Sequence, residues 1–171
     1  MNVLTLDVET THKTKESGGT TALPYFGNTL VSIGYKWLGE DEVGYDFVSH
    51  SDNRAFVQDG WFETMQDTLS SADVIVGQNF KFDLTWLRAC GFTYDGHVYD
   101  TMVAEYILAK ARRWSLSLDS LAKRYGVTQK EKDLVAPYLK DGKTFYDIPY
   151  DIVKEYGIAD VLATEEVAVK Q

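Results

Sequence analysis

The sequence predicts an α/β fold with a mixed five-stranded sheet, in which an antiparallel meander precedes parallel strands and helices cover both faces. Two observations lead to this prediction. Three apolar strand-like runs come first, and helical and strand-like segments then alternate before the chain closes on helical patterns. Because parallel neighbours in a sheet need crossover connections, the alternating segments imply helices on both faces of a mixed sheet.

The antiparallel meander is predicted from the first fifty residues. A short apolar run over residues 3–6 forms the first strand, and residues 30–37 and 43–48 form two more. The turn between these two contains glycine and three acids, which is typical of a hairpin connection.

Helical periodicity begins after residue 53. Apolar residues recur at three- to four-residue spacing over residues 54–69, and Asn53 stands where a helix cap belongs. A short buried strand over residues 72–77 follows, and Asn79 is a second candidate cap for a helix that ends near Gly91. The later segments predict a strand at residues 98–99 and helices over residues 102–110, 116–125 and 151–170.

Two segments lack such periodicity. Residues 12–27 are polar and rich in glycine and threonine, which predicts a long loop and a candidate mobile flap. Residues 126–145 are predicted to be an irregular connection for the same reason.

Composition excludes several classes of protein. The 171 residues favour one domain, residues 1–171, that buries a sizeable core without external support. A single cysteine, Cys90, cannot form an intramolecular disulfide, so a disulfide-stapled secreted scaffold is excluded. Neither a signal peptide nor an apolar run of membrane-spanning length is visible, and a cytoplasmic location is expected.

The charge distribution argues against one class of nucleic-acid-binding protein and leaves one local feature open. The net charge of -9 argues against a protein that coats duplex DNA, but not against an enzyme that holds a few nucleotides around metal ions. Residues 110–132 contain seven Lys and Arg against two acids. This basic stretch is either a solvated helix face or a guide for a polyanion, and both readings stay open.

Four carboxylates occupy positions where the local secondary structure can fix the direction of the side chain. Asp7 and Glu9 follow the first strand in period-2 register, so both project from one face. Asp83 is four residues after Asn79 on a predicted helix, and Asp160 is four residues after Tyr156 on another. Four acids in one cleft would repel each other unless hard divalent ions, Mg²⁺ or Mn²⁺, neutralised them. Two such ions about 3.5 to 4 Å apart are suited to phosphodiester hydrolysis.

These acids stand in a pattern that resembles a known family. Residues 6–10, 77–84 and 156–160 resemble, in order, the three exonuclease motifs of the DEDD superfamily, and a tyrosine four residues before the last aspartate is typical of its DEDDy subgroup. Residues 99–108 and 116–122 also look like the proofreading 3′-5′ exonuclease domain of family A DNA polymerases. The resemblance covers nearly the whole chain and implies a ribonuclease H-like fold.

The resemblance implies a role for each motif residue. Asp7 would bridge two metal ions, Glu9 and Asp160 would complete the nucleophile-side ion, and Asp83 would hold the second. Tyr156 would orient the attacking water. The substrate-binding residues implied are Asn79 and Phe80 beside the terminal nucleotide, and Thr10, whose backbone would meet the sugar.

Other polar residues are not assigned a catalytic role. Asp100 ends a strand before a helix and is expected to act as an N-cap rather than as a metal ligand. Glu155 occupies the position where the DEDDh subgroup has a histidine, so a histidine base is disfavoured. Lys13 and Lys15 in the 12–27 loop are candidate phosphate contacts.

The function implied is a metal-dependent 3′-5′ exonuclease. It would act on single-stranded or frayed DNA ends, release nucleoside 5′-monophosphates and serve proofreading, with a DNA polymerase subunit or domain as a possible partner. Two alternatives stay open: a ribonuclease D-like exoribonuclease, and a non-catalytic module that binds a strand or docks a polymerase. Whether the chain is a separate enzyme or part of a longer one is also open.

Overall fold

A five-stranded mixed sheet forms the centre of the protein. The computed structural model describes residues 1–15, 18–52, 57–110, 112–128 and 134–171. In sheet order the strands are β5, β4, β1, β6 and β7, defined by the ranges Gly44–Phe47, Leu30–Trp37, Val3–Thr10, Val74–Gly77 and His97–Asp100. The pairs β5–β4 and β4–β1 are antiparallel, whereas β1–β6 and β6–β7 are parallel. The predicted meander followed by parallel strands is therefore confirmed.

Six α-helices lie in the described part of the chain. They are α1 to α6, with the bounds Trp61–Ser70, Lys81–Ala89, Thr101–Leu108, Leu118–Tyr125, Ala136–Lys140 and Tyr150–Lys170. Two very short strands, β2 (Lys13–Thr14) and β3 (Thr20–Thr21), pair outside the main sheet. Within the described ranges, no helix is both long and apolar enough to cross a membrane.

The side chains of β1 alternate between two helical layers. Leu4, Leu6 and Val8 are buried in the core cluster that also contains residues of α1 and α2. The intervening residues, among them Asp7 and Glu9, point away from that cluster because successive side chains of a strand face opposite sides. Helix α6 contacts β1, β4, β5 and β6. The predicted placement of helices on both faces is confirmed.

The predicted helix over residues 54–69 is too long at its N-terminal end. Helix α1 begins at Trp61, and it follows Gly60, whose φ of 83° is left-handed and incompatible with a continuing helix. Residues 57–60 are not helical, and the predicted cap Asn53 lies outside the described residues. The apolar periodicity in the sequence continues across Gly60, where the backbone changes direction, so the predicted helix begins too early.

The two segments predicted to be irregular contain some regular structure. Within residues 12–27, β2 and β3 form a small hairpin, and Pro24–Phe26 form one 3₁₀ turn. The Trp86 indole N–H of α2 donates to the Ala22 carbonyl at 2.9 Å, which ties this segment to α2. Residues 126–145 include the short helix α5, whereas Gln129 and its neighbours up to residue 133 lie outside the described ranges.

One carboxylate organises the turn before α2 and the start of α3. The Asp100 side chain accepts hydrogen bonds from the backbone N–H groups of Met102 at 2.9 Å and Val103 at 3.4 Å, so its predicted capping role is confirmed. It also accepts from the N–H groups of Asn79 at 3.0 Å and Phe80 at 2.8 Å. The prediction that Asn79 caps α2 with its side chain is wrong. Asn79 has a left-handed φ of 55°, and the helix begins after Phe80.

We expect Asp100→Ala to lower the free energy of unfolding by about 1–3 kcal/mol, because four backbone donors lose their acceptor. Chemical denaturation monitored by circular dichroism measures this change. Asp95→Ala is the control, since Asp95 is an exposed aspartate just before the start of β7, at the end opposite Asp100, and it should change stability by less than about 0.5 kcal/mol. Equal losses in the two variants would contradict the capping role.

Candidate active site

The site begins where the central strand extends beyond its neighbour. β6 pairs with β1 only from Val3 to Thr5, whereas β4 pairs along nearly all of β1. The register between β1 and β4 shifts between Glu9 and Thr10, as at a β-bulge. The second half of β1, with Asp7 and Glu9, therefore has no parallel strand beside it, and other side chains can approach this edge.

Asp83 fills that edge from the first turn of α2. The backbone N–H of Val8 donates to Asp83 Oδ1 at 3.0 Å. This bond satisfies a main-chain donor that β6 no longer reaches. Only 2% of Asp83 is exposed. Its position thus depends on the length difference between β1 and β6 as well as on α2.

Helix α6 brings the last pair of predicted residues to the same place. Asp160 is buried, and one carboxylate oxygen from each of Asp7, Glu9 and Asp160 lies within 4.8 Å of the others. Tyr156 lies one helical turn earlier, and its ring is 5.6 Å from that of Phe145, measured between centroids. The three carboxylates come from two elements that are about 150 residues apart in the sequence.

These residues line one cleft with a volume of about 570 Å³. Its polar lining includes Asp7, Glu9, Asp83, Asp160, Tyr156, Asn79 and Gln78. Its apolar lining consists of Val8, Phe82, Met102, Leu116, Leu118, Leu139 and Phe145. Sequence reasoning did not assign the apolar residues to the site. Phe82 lies inside the second motif and could have been found there, whereas Leu139 and Phe145 stand in a stretch without any periodic signal.

The three residues predicted to bind substrate differ in whether their side chains reach the cleft. Asn79 lines the cleft. Phe80 is fully buried and packs against Gly77, where an added Cβ would lie 2.1 Å from Phe80 Cδ2. Thr10 is also buried, at the register shift of β1. The structure therefore brings the side chain of Asn79 to the cleft, but neither the ring of Phe80 nor the side chain of Thr10.

Burial and mutual repulsion dominate the electrostatics of the cleft. Burial, followed by the negative charge of Asp7, raises the pKa of Asp83 well above its usual range. The pKa of the Tyr156 hydroxyl is also raised, first by burial and then by Glu9 and Asp7. Tyr156 therefore keeps its proton at physiological pH and can donate a hydrogen bond.

The arrangement fits a hard divalent cation. Carboxylate oxygens are the ligands such ions prefer, and three of them converge within one coordination sphere here. A cation would also offset the repulsion that raises the pKa of Asp83. Asp83 lies in the same cleft but outside the three-carboxylate group, and its Oδ1 accepts the Val8 N–H.

A comparison with known families shows to which family the chain belongs. The family described as 3′-5′ exonuclease matches residues 2–170, which is nearly the whole chain. The chain belongs to the 3′-5′ exonuclease family. The resemblance seen in the motifs is thereby confirmed.

Individual relatives agree with this membership. DNA polymerase I of Borreliella burgdorferi (strain ATCC 35210 / DSM 4680 / CIP 102532 / B31) is 23% identical over 142 residues, which are 82% of this chain and 15% of that protein. The chain thus spans about 15% of the length of the curated relative it matches. A solved structure described as "apo form of the nuclease" superposes with a TM-score of 0.68 at 14% identity, covering 98% of this chain and 70% of the other. That likeness supports the ribonuclease H-like fold.

Part of the basic stretch lies next to the cleft. Leu116 lines the cleft, and two residues before it Trp114 is 41% exposed. The guanidinium of Arg112 lies 4.9 Å from the Trp114 ring centroid, and that of Arg124 lies 4.5 Å from it. The Lys residues at 130 and 132 lie outside the described residues. The stretch therefore places an exposed aromatic ring beside two guanidinium groups, of which that of Arg124 is also paired with Glu105.

We expect Asp83→Asn to stabilise the metal-free protein at neutral pH by roughly 1–3 kcal/mol, because it removes a buried, repelled charge and keeps an oxygen for the Val8 N–H. A carboxyl whose folded-state pKa is raised destabilises the fold as pH rises above its unfolded pKa. The advantage should therefore vanish below about pH 4 and grow as the pH rises above it. Urea denaturation in EDTA between pH 3.5 and 8 measures it. An advantage that is independent of pH would contradict this electrostatic account.

Proposed function

We propose that this chain is one exonuclease domain, residues 1–171, which removes nucleotides from the 3′ ends of single-stranded or frayed DNA and releases nucleoside 5′-monophosphates. The observation that carries the proposal is the group of Asp7, Glu9 and Asp160, whose carboxylate oxygens lie within 4.8 Å of one another in a chain of the 3′-5′ exonuclease family. An acidic cluster of this kind is suited to metal-assisted hydrolysis of a phosphodiester.

Two divalent ions, Mg²⁺ or Mn²⁺, are the proposed cofactors. Asp7 would contribute to both, Glu9 and Asp160 to one, and Asp83 to the other, directly or through water. When bound, such ions supply Lewis-acid activation of water and stabilise charge on the phosphate oxygens. Strand β1 and helices α2 and α6 would provide the oxygens that hold them.

Tyr156 is proposed to orient the attacking water rather than to remove its proton. Its raised pKa keeps the hydroxyl protonated, so it donates a hydrogen bond and is a poor general base. Burial, the first cause of that raised pKa, does not depend on metal occupancy. Phe145 packs beside the ring and restricts the side chain to the cleft.

The apolar walls of the cleft favour an unpaired end as substrate. A base that has left its stack can contact Phe82, Leu116 and Phe145, whereas a paired base would keep its own neighbours. Trp114 is 41% exposed and lies beside Arg112, so it offers an aromatic ring with a nearby positive charge for the strand beyond the cleft. DNA is proposed because the relative reported above is a DNA polymerase.

Proofreading beside a polymerase is the proposed setting. The chain carries a net charge of -9, and a strongly acidic protein gains little affinity for a polyanion from its overall charge. We expect the domain by itself to bind DNA weakly and to cut distributively. A polymerase partner would then supply most of the affinity, and adding it should raise processivity.

The test is digestion of a 5′-labelled single strand, resolved nucleotide by nucleotide, with Mg²⁺, with Mn²⁺ and with EDTA. We expect a ladder that shortens from the 3′ end, no cleavage in EDTA, and no cleavage when the 3′ end is blocked. Asp7→Asn should lower the rate at least about 100-fold, because it neutralises the one carboxylate that is proposed to contact both metal ions. Thermal unfolding of Asp7→Asn controls for loss of fold.

Two further arms distinguish the rival functions. An RNA strand of the same sequence that is cut faster than DNA would assign the chain as an exoribonuclease instead. If the wild-type protein binds the strand but cuts neither substrate in either metal, the chain is a non-catalytic binding module. Cleavage that persists in EDTA would contradict the metal-dependent mechanism itself.

A pair of α6 variants separates water orientation from metal binding. Tyr156→Phe should lower kcat about 10- to 100-fold while it leaves Mn²⁺ affinity within about twofold, since the lost hydroxyl is not a ligand. Asp160→Ala should lower both kcat and the affinity for Mn²⁺. Isothermal titration with Mn²⁺ alongside single-turnover kinetics measures the two effects. Equal losses of metal affinity in the two variants would contradict the role given to Tyr156.

A further inference from the structure

The ring of Tyr45, on strand β5, occupies the space between the sheet and helix α6. A Cβ at Gly157 of α6 would lie 2.3 Å from both Cε2 and Oη of Tyr45. A Cβ at Gly34 of β4 would lie 3.1 Å from Tyr45 Cδ2 and 2.9 Å from a methyl group of Val161. Carbon atoms do not approach so closely without moving. Glycine at both positions therefore lets the ring contact the backbones of the helix and the strand.

Glycine in the middle of a long helix needs a reason of this kind. Gly157 lies inside the 21-residue helix α6, where glycine is less favourable than alanine. It stands directly after Tyr156 and three residues before Asp160. The closest approach of α6 to the Tyr45 ring thus falls within the turn that carries the proposed water-orienting residue and a proposed metal ligand.

The hydroxyl of Tyr45 connects the same two elements. It donates to the backbone carbonyl of Val153 on α6 at 3.2 Å and lies 2.8 Å from Ser32 Oγ on β4. Since the tyrosine has one proton, the Ser32 hydroxyl donates to Tyr45. Ser32 is paired with Glu9 in the register of β4 and β1. The path therefore runs from the strand of Glu9 through Ser32 and Tyr45 to α6.

We infer that Tyr45 is a positioning residue, which fixes the distance between α6 and β1 and so holds Tyr156 and Asp160 in place against Asp7 and Glu9. The inference rests on the proposed exonuclease function. Burial and the charge of Glu9 raise the pKa of Tyr45 well above its usual value, so the hydroxyl stays protonated and keeps donating across the working pH range.

A purely structural role is the competing explanation. Tyr45 also packs edge-to-face on Phe47, with ring centroids 5.3 Å apart, and adjoins the buried cluster around Val153. Loss of such packing lowers stability in general, whereas loss of positioning changes the reaction at unchanged substrate affinity. The two explanations therefore differ in how kcat, KM and metal affinity respond.

Tyr45→Phe keeps the ring and removes the hydroxyl. We expect kcat to fall roughly 10-fold, while KM for the oligonucleotide stays within about twofold of the wild-type value. The Kd for Mn²⁺ should rise several-fold. The matched control is Tyr35→Phe, which removes a hydroxyl from the adjacent strand. The Tyr35 hydroxyl bonds to Asp46 rather than to α6, so its loss should leave kcat and Mn²⁺ affinity within about twofold.

A second pair of variants tests the same contact from the helix side. Gly157→Ala places a methyl group against the Tyr45 ring and should weaken Mn²⁺ binding and kcat together, at least as strongly as Tyr45→Phe. Adding Tyr45→Leu to Gly157→Ala shortens the opposing side chain and should recover part of the Mn²⁺ affinity. A double variant no better than Gly157→Ala would contradict the direct contact.

The outcomes separate the inference from the proposed function. If the wild-type protein cuts DNA and Tyr45→Phe keeps its kcat and its Mn²⁺ affinity, Tyr45 has no positioning role. The same follows if Tyr35→Phe loses as much kcat as Tyr45→Phe. If the wild-type protein cuts no nucleic acid, the proposed function is wrong, and the Mn²⁺ titrations of the four variants still test whether Tyr45 holds the carboxylates together.

Discussion

The mutual repulsion of closely spaced and largely buried carboxylates is the constraint on which this molecule depends. Carboxylate oxygens of Asp7, Glu9 and Asp160 lie within 4.8 Å of one another, Asp7 being half-buried, and Asp83 is almost fully buried in the same cleft. Negative charges in a medium of low dielectric constant destabilise a fold unless cations offset them. The rest of the structure must therefore hold these groups in place against a force that would separate them.

The sheet and its helices supply that restraint through several independent contacts. β1 extends beyond β6, and Asp83 is tied to the exposed edge by the Val8 N–H. The Asp100 carboxylate holds the turn before α2. Tyr45 bridges α6 and β4 on the opposite side of β1. Each contact is made to an element that carries a proposed ligand, or to the turn before it, and so restrains that element against the local repulsion.

The cleft combines this acidic group with apolar walls, and the combination bears on substrate choice. Phe82, Leu116 and Phe145 can contact a base but offer no pattern of donors that would read its identity. An enzyme that trims any 3′ end requires such indifference to sequence. The Arg112 guanidinium lies beside the exposed Trp114 ring while the net charge is -9, so the positive charge that could attract a polyanion is local.

The order of strands and helices and the acidic motifs were predictable from the sequence, because they depend on local periodicity and on short spacings such as Asp7 to Glu9 and Tyr156 to Asp160. Tertiary structure alone decided the rest. The start of α1 depended on the backbone of Gly60, and the burial of Phe80 depended on the close approach of Gly77. The apolar wall at Leu139 and Phe145 and the bridging position of Tyr45 also left no local signal, since they arise from contacts between residues about a hundred positions apart, which no window of sequence contains.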